Sequence, residues 1–343
     1  MTEPLYTPII RTRPAELKGL RELDVAVRSQ LLPVMELTRS RRTTKNPGGN
    51  VSNSVEATLE ILGDQPFIVD LTSLQSQQNG EFESLLDASN GFDAWTRFAH
   101  HHLPKQCIPV VHLLEPFDAD EFRRQVVVLR SKFDRVALRV PTSYLELPAV
   151  LNTYTSVAND LRTAAIVLDA GYVTSPTAAA AVARLSEMLR QLNRRPTFMT
   201  ASCSSSFPIS VVSAGGEDAS DEFPLLETWV DAQLRQTWPE LTYGDYAAIH
   251  PIDFVGTVTN WVPRVDVMLA TKFYYYRYRR SDGGYVRAAA DALADSNYAP
   301  LNCWGDTNIR NAAAGSPLGR SPSHWIASRV NFHISRQISR LTT

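Results

Sequence analysis

Three acidic side chains in this sequence come directly after short apolar segments. Glu36 follows LLPVM, Asp70 follows PFIV, and Asp169 follows AAIVL. A carboxylate at the end of a buried segment costs several kcal/mol unless it is paired or bound to a ligand. Carboxylates act as general acids and bases and bind hard divalent cations. These residues are therefore candidates for catalysis, with a divalent metal ion as a candidate cofactor, although no metal-ligand set is assigned.

Imidazole and guanidinium groups follow other apolar segments. His250 follows YAAI and is the fourth catalytic candidate. Guanidinium groups bind phosphate and carboxylate oxygens through paired hydrogen bonds, so the basic residues are candidates for binding an anionic ligand. This ligand-binding set consists of Arg11, Arg13, Arg39, His112 and Arg139. The alternative is structural, because large barrels contain layers in which arginines and carboxylates only satisfy one another.

The segments that carry these residues predict the fold. Continuous apolar runs of about five residues are typical of strands buried on both faces of a parallel sheet. Helix-like segments lie between them, for example at 15–30, 120–133 and 176–195. Eight such runs begin with YTPIIR at 6, LLPVMEL at 31, PFIVDL at 66, CIPVVHLL at 107, RVALRV at 135, AAIVLDA at 164, PTFMTAS at 196 and YAAIHPI at 246.

Eight strand–helix units predict an α/β protein with a (β/α)8 barrel. An open, doubly wound sheet is the alternative, but neither of its nucleotide-binding glycine motifs occurs. Active sites of such barrels lie at the carboxyl ends of the strands, so the candidate residues would share one mouth. Asp245 would instead lie at the amino end of strand eight, which indicates a structural role.

The alternation of strands and helices ends near residue 260. VDVMLATKFYYYRYRR predicts one long strand, SDGG a turn and GYVRAAADALADS a helix. We therefore expect a barrel in residues 1–260 and a strand–helix extension in residues 261–343 that packs on it. The aromatic and basic strand FYYYRYRR, residues 273–280, is expected to pack its tyrosines against neighbouring elements. SAGGEDASDE, residues 213–222, is predicted to be a surface loop.

Composition narrows the partners and the compartment. The net charge is −2, with 34 basic and 36 acidic residues, so no global field directs the protein to nucleic acid or to a membrane. A protein or an anionic small molecule is the expected partner, and nucleic acid is disfavoured. The basic run RSRRTTK, residues 39–45, is a candidate phosphate-collecting loop or simply a solvated one. Three widely spaced cysteines and no 18-residue apolar stretch predict a cytoplasmic protein.

Six landmark segments occur along the chain in this order: YTPIIRTRPAELKGL, LLPVMEL, SSSFP, YGDYA, CWGD and HWIASRVNFHI. Together they resemble the phage-type beta protein family, which is found in phages, prophages and bacterial mobile regions. The resemblance spans nearly the whole chain and implies a phage-related context, but it supplies no reaction.

Two functions of different class follow from these observations. The first is a hydrolase or lyase that acts on a phosphorylated or nucleotide-like ligand at the barrel mouth, with the carboxylates as acid, base or metal ligands and the arginines as an anion clamp. The second is a non-catalytic recognition or assembly subunit in phage–host conflict, such as anti-phage defence, that binds protein or nucleic acid. Its contact surface would be FYYYRYRR and the segment from Trp325 to Arg340.

Overall fold

Eight parallel strands form one sheet in the computed structural model, which describes residues 4–192, 195–208, 218–253 and 261–343. The order across the sheet is β4-β3-β2-β1-β9-β7-β6-β5. A parallel bridge between Val110 and Ala137 joins the two outermost strands, so the sheet is nearly closed and the predicted barrel is confirmed. The strands are β1 (Tyr6–Arg11), β2 (Val34–Leu37), β3 (Phe67–Leu71), β4 (Cys107–Pro109), β5 (Val136–Pro141), β6 (Ala164–Tyr172), β7 (Met199–Ser205) and β9 (Thr242–Asp245).

Helices between the strands cover the outside of the sheet. In the helix of residues 119–130, Asp118 caps the amino end, and Phe122, Val126 and Leu129 recur at helical spacing on the buried face. The predicted helix at 15–30 is divided into two in the structure. These helices are α1 (Pro14–Arg21), α2 (Val25–Arg28), α3 (Ser52–Leu62), α4 (Glu81–Leu85), α5 (Ser89–His102), α6 (Ala119–Arg130), α7 (Leu147–Ala158), α8 (Ala178–Leu192) and α9 (Leu226–Arg235), with 3-10 turns at Gln75–Gln77, Leu161–Thr163 and Arg280–Asp282.

Strand eight of the barrel is TYGD, not the predicted segment YAAIHPI. The Asp245 carboxylate accepts a hydrogen bond of 2.7 Å from the backbone N–H of Ala247. Ala247 and Ala248 then adopt left-handed backbone angles, with φ of 49° and 59°, which ends the strand. Asp245 therefore lies at the carboxyl end of strand eight, and the prediction that it lies at the amino end is wrong.

A second, antiparallel sheet has the order β10-β11-β8 and consists of β8 (Ala219–Pro224), β10 (Arg264–Met268) and β11 (Lys272–Arg277). The predicted single long strand is thus a hairpin, which turns between Leu269 and Lys272. The loop prediction is wrong for residues 219–222, because they pair with β11, and residues 213–217 lie outside the described residues. The predicted boundary near 260 stays a prediction, since 254–260 also lie outside them.

The tyrosines of FYYYRYRR pack as predicted. The strand is central in its sheet, and its tyrosines contact α10 (Gly284–Ala294) and the residues that follow. Tyr274 donates a hydrogen bond of 2.8 Å to the carbonyl of Ala292, and Tyr276 donates one of 3.0 Å to Asp295. Within residues 273–280, only Arg279 and Arg280 are exposed.

Two further helices, α11 (Trp304–Ala313) and α12 (Pro322–Thr342), complete the chain. Helix α12 joins the second sheet to the barrel because it contacts both β10 and α1. The contact with α1 is close at Gly19, where a Cβ atom would lie 2.8 Å from the carbonyl oxygen of Ala327. Any larger residue at this position would push the two helices apart.

A buried polar network fixes α12 to the outer face of strand eight. His333 Nε2 and the Tyr243 hydroxyl lie 2.6 Å and 2.7 Å from Asp245 Oδ2, and the Tyr6 hydroxyl donates to Oδ1. All four side chains are fully buried. Burial would raise the pKa of Asp245, but His333 and the two hydroxyl groups outweigh it and hold that pKa below its ordinary value.

A second buried carboxylate, Glu227 of α9, lies near this network. It accepts hydrogen bonds of 3.0 Å and 2.5 Å from the backbone N–H and the hydroxyl of Ser206. Burial, and then the charge of Asp245, raise the pKa of Glu227 to about 7. Glu227 therefore takes up a proton in the folded protein at a higher pH than in the unfolded chain.

Replacing Asp245 by Ala should lower the free energy of unfolding by about 3–5 kcal/mol, because three buried donors lose their acceptor. Urea unfolding at neutral pH measures this loss. The control is Asp93→Ala, which removes a surface ion pair with Arg97 and should cost less than about 1 kcal/mol. Equal losses in the two variants would contradict the role given to Asp245.

The free energy of unfolding should depend on pH through Glu227. Because its folded pKa is raised from 4.5 to about 7, the native state binds the extra proton, and stability falls as pH rises across that interval by about 3 kcal/mol before levelling off. Glu227→Gln should remove this component. The test compares urea unfolding of both proteins between pH 4.5 and pH 8, and a stability difference that stays constant with pH would contradict it.

Candidate active site at the carboxyl ends of the barrel strands

Strand alternation places the candidate carboxylates inside the barrel. Val34, Ile68 and Val167 belong to the apolar cluster that fills the barrel interior. The residue two positions further along each strand faces the same way, and these residues are Glu36, Asp70 and Asp169. Register supports the grouping, because Arg11 pairs with Glu36 and Glu36 with Asp70 across β1, β2 and β3.

Arg139 of β5 lies at the centre of these carboxylates. Its Nη1 donates to Glu36 Oε1 at 2.6 Å and to Asp70 Oδ2 at 2.9 Å. Its Nε and Nη2 lie 2.9 Å and 2.8 Å from Asp169 Oδ2, and Nη2 also donates to the Tyr246 hydroxyl at 3.0 Å. A guanidinium group has five N–H bonds, and these contacts engage all of them.

The surroundings favour the charged form of Arg139. Burial opposes the charge, but Tyr246 and the three carboxylates outweigh burial and raise the pKa of Arg139 well above its ordinary value. Burial and the adjacent Asp169 also raise the pKa of Tyr246 well above its ordinary value. Tyr246 therefore stays a neutral hydroxyl, which donates to Asp169 at 2.7 Å.

Arg11 continues the network toward the edge of the mouth. Its Nε lies 3.3 Å from Glu36 Oε2, and its Nη2 donates to the backbone carbonyl of His250 at 3.0 Å. Its backbone N–H donates to Glu16 at 2.8 Å, and burial raises the pKa of Glu16 above its ordinary value. Arg11 and Arg139 are thus bound to groups of the protein itself.

A cleft of about 350 Å³ opens beside Arg139. Glu36 lies under Arg139 and does not line it, whereas Asp70 and Asp169 do. Sequence reasoning missed three residues of its lining, and the displaced prediction of strand eight explains why Tyr246 was among them. The polar lining comes from Asp70, Ser73, His112, Glu115, Arg139, Tyr144, Asp169 and Tyr246.

His112 presents a neutral imidazole to this cleft. Its Nδ1 lies 3.9 Å from Asp70 Oδ1, and its ring packs against Phe92 and Trp95 with centroid separations of 5.3 Å and 5.2 Å. Burial lowers the pKa of His112 below its ordinary value, although the Asp70 carboxylate opposes the shift. Nε2 is buried and has no hydrogen-bond partner among the described residues. An uncharged imidazole beside a carboxylate is suited to accept a proton.

The structure brings Glu36, Asp70 and Asp169 together around Arg139, but three other candidates lie elsewhere. His250 Nδ1 lies 2.7 Å from the Phe207 carbonyl, and only the backbone of His250 contacts Arg11. Arg39 donates to the carbonyl of Ser76 at 2.7 Å. Arg13 is exposed at the start of α1. The functional roles of all the candidates stay predictions.

The three consecutive histidines His100, His101 and His102 form the surface end of α5, as the sequence indicated. Within the described ranges, no cluster of three or more His, Cys, Asp or Glu side chains could hold a metal ion. A search of the same ranges for helices long and apolar enough to cross a membrane found none.

Comparison with known proteins identifies the family. The family model for Beta protein matches residues 6–339. The chain belongs to the Beta protein family. It is 28% identical over 339 residues to protein beta of Enterobacteria phage P4, an alignment that covers 97% of this chain and 92% of the phage protein. No solved structure matches the chain.

The resemblance inferred from the six landmark segments is thus confirmed, and the structure gives three of them a shared position. YTPIIR contributes Tyr6, YGDYA contributes Tyr243 and Asp245, and HWIASRVNFHI contributes His333 to the buried network on strand eight. In this member of the Beta protein family, segments far apart in the sequence therefore meet at the outer face of one strand, directly behind the mouth.

Arg139→Ala should lower the free energy of unfolding by about 3–5 kcal/mol at pH 8, because three carboxylates would share the barrel interior without their cation. The loss should be smaller at pH 5, where such carboxylates take up protons more readily. Urea unfolding at both pH values measures the effect. Arg123→Ala, which breaks a surface pair with Asp120, is the control, and a loss in Arg139→Ala no larger than in the control would contradict this.

Proposed function

We propose that this protein is a hydrolase or lyase whose reaction takes place in the cleft beside Arg139, on a phosphorylated or nucleotide-like ligand. The observation that carries the proposal is the neutral imidazole of His112, which lines the cleft 3.9 Å from the Asp70 carboxylate. Its lowered pKa keeps the imidazole ready to accept a proton near neutral pH.

The other residues of the cleft support this role. Asp70 is fixed by Arg139 and by the backbone N–H of Leu71, which donates to it at 2.8 Å, so it stabilises the imidazolium formed when His112 takes a proton. Asp169 is fixed in the same way by Arg139 and by the N–H of Gly171 at 2.9 Å. Such fixed groups need little reorganisation during a reaction.

The hydrogen bonds of Arg139 also indicate which part of the ligand enters the cleft. Every N–H of Arg139 is engaged by Glu36, Asp70, Asp169 or Tyr246, so it offers no free donor to a phosphate. The cleft is lined by carboxylates and hydroxyl groups, which suit the hydroxyl or amino groups of a sugar or base. A phosphate on the same ligand would lie outside the cleft.

The second candidate function is a non-catalytic recognition or assembly subunit. The full pairing of the carboxylates with Arg139 favours it, because the same contacts would also build a purely structural plug. The segments expected to form its contact surface do not favour it. Every residue from Trp325 to Arg340 is buried or half-buried, and most of FYYYRYRR is buried between neighbouring elements.

The family match supports a role connected with phages or mobile elements, since the similar protein beta belongs to phage P4. A part in anti-phage defence fits this context. Cys107, Cys203 and Cys303 are free and buried, which fits a reducing compartment, and we place the protein in the cytoplasm.

His112→Gln should lower kcat/KM by about 10²–10⁴-fold, because it removes the proton acceptor. The assay panel contains bis(p-nitrophenyl) phosphate, p-nitrophenyl glycosides and the common nucleotides, with product formation followed by absorbance or chromatography. The matched control is His101→Gln, an exposed histidine at the end of α5, which should keep wild-type rates.

The pH profile separates catalysis from folding. The imidazole must be neutral to accept a proton, and its pKa lies below the ordinary value of 6.5. The wild-type kcat/KM should therefore stay level as pH falls to 6.5 and decline only below it. Absence of turnover by the wild-type protein across the panel, or equal rates in the two histidine variants, would overturn the proposal and favour the recognition subunit.

A further inference from the structure

A basic groove lies beside the barrel mouth, on the side of β1 and β2. It has a volume of about 560 Å³ and is bounded by α1, the loop after β2 and the first turns of α3. Lys18, Arg21 and Arg41 line it together with Ser40 and Thr43, and Glu22 is its one carboxylate. The groove is therefore rich in hydrogen-bond donors and positive charge.

The sequence around the groove differs in charge from the rest of the chain. Residues 11–45 contain nine Lys and Arg against four Asp and Glu, whereas the whole chain carries a net charge of −2. Two of those four carboxylates, Glu16 and Glu36, are buried and bound to Arg11. Between residues 37 and 55 there is no acidic residue at all. The positive charge at the groove is thus poorly compensated.

The exposed cations at this edge also differ in their pairing from other surface arginines. Arg123 and Arg124 on α6 each contact a carboxylate of their own helix. Arg13, Arg41 and Arg42 are exposed and have no ion pair within the described part of the chain. Burial lowers the pKa of Arg39, and the charges of Arg42 and Arg13 lower it further. Like charges are therefore held close together here.

The loop that carries these cations is fixed by hydrogen bonds. Ser40 and Asn50 are joined twice, by a backbone bond of 2.9 Å and by a bond of 3.1 Å from the Asn50 N–H to the Ser40 hydroxyl. Gly49 has a φ of 68°, and a Cβ atom there would lie 2.4 Å from the Ser40 carbonyl oxygen. The Arg39 side chain ties the loop to the carbonyl of Ser76. A solvated basic loop needs no such bracing, whereas a binding site gains from it.

We propose that this groove binds phosphate groups, with Arg41 and Arg42 as the principal contacts. Guanidinium groups match the geometry of phosphate oxygens and form charge-assisted hydrogen bonds with them. Unpaired like charges held on a braced loop are stabilised when an anion binds between them. The phosphates belong either to a small phosphorylated molecule or to a nucleic-acid backbone, and the site stands whether or not the cleft beside Arg139 is catalytic.

The test measures binding to two probes at about 0.1 M salt, a concentration at which contacts between exposed charges are partly screened. One probe is a fluorescein-labelled single-stranded oligothymidine of about 20 nucleotides, long enough for a backbone-tracking site, followed by anisotropy. The other is tripolyphosphate, followed by titration calorimetry. Arg41→Ala/Arg42→Ala should weaken binding at least about tenfold, because two charge-assisted contacts are lost. The matched control, Arg123→Ala/Arg124→Ala, should change it less than about twofold, since those side chains are paired on another face.

The two probes distinguish the source of the phosphate. Tight binding of the oligonucleotide that tripolyphosphate does not displace would assign the groove to a nucleic-acid backbone, and calorimetric binding of tripolyphosphate with weak oligonucleotide binding would assign it to a small phosphorylated ligand. Absence of binding to both probes by the wild-type protein would overturn the proposal. Equal weakening in the two double variants would also overturn it, provided that their thermal unfolding midpoints match the wild type. Because the readout is binding, its failure is distinct from a failure to find turnover.

Discussion

The structure depends on one guanidinium group that holds three carboxylates inside a barrel. Taken alone, Glu36, Asp70 and Asp169 would repel one another in a place that water reaches poorly, and each would cost several kcal/mol. Arg139 contacts all three and also the Tyr246 hydroxyl. It therefore fixes the relative positions of β2, β3, β5 and β6 at the mouth. The same contacts orient Asp70 toward His112, so the stability of the barrel and the geometry of the cleft come from one set of hydrogen bonds.

Strand eight connects this interior network to a second one on the outside of the sheet. Asp245 points outward to Tyr6 and His333, whereas Tyr246, the next residue, reaches inward to Arg139 and Asp169. Gly244 lies between the neighbouring strands, where a Cβ atom would be 2.2 Å from the sulfur of Cys203. Three consecutive residues thus serve close packing, the attachment of α12 and the active-site cleft. A shift of this strand by one residue would break all three contacts at once.

Sequence reasoning was accurate where one physical effect dominates. Buried strands on both faces of a parallel sheet require continuous apolar runs, so seven of the eight strands and the barrel followed from composition. It failed at Thr242–Asp245, because polar side chains that satisfy one another can replace apolar ones, and such pairing is visible only in three dimensions. The carboxylates at the strand ends were found for the same reason as the strands. The position of His112 against Asp70 was not, since it depends on the packing of Phe92 and Trp95 from α5.

The charges at the mouth are separated rather than mixed. Arginines inside the barrel are bound to carboxylates and carbonyls, which leaves the cleft acidic, while the arginines on the loop after β2 remain exposed. A ligand with an anionic end and a hydroxyl-rich end is attracted by both regions in only one orientation. A uniformly charged ligand would be repelled by one of them. The net charge of −2 conceals this arrangement, because it arises from opposite local fields that nearly cancel over the whole chain.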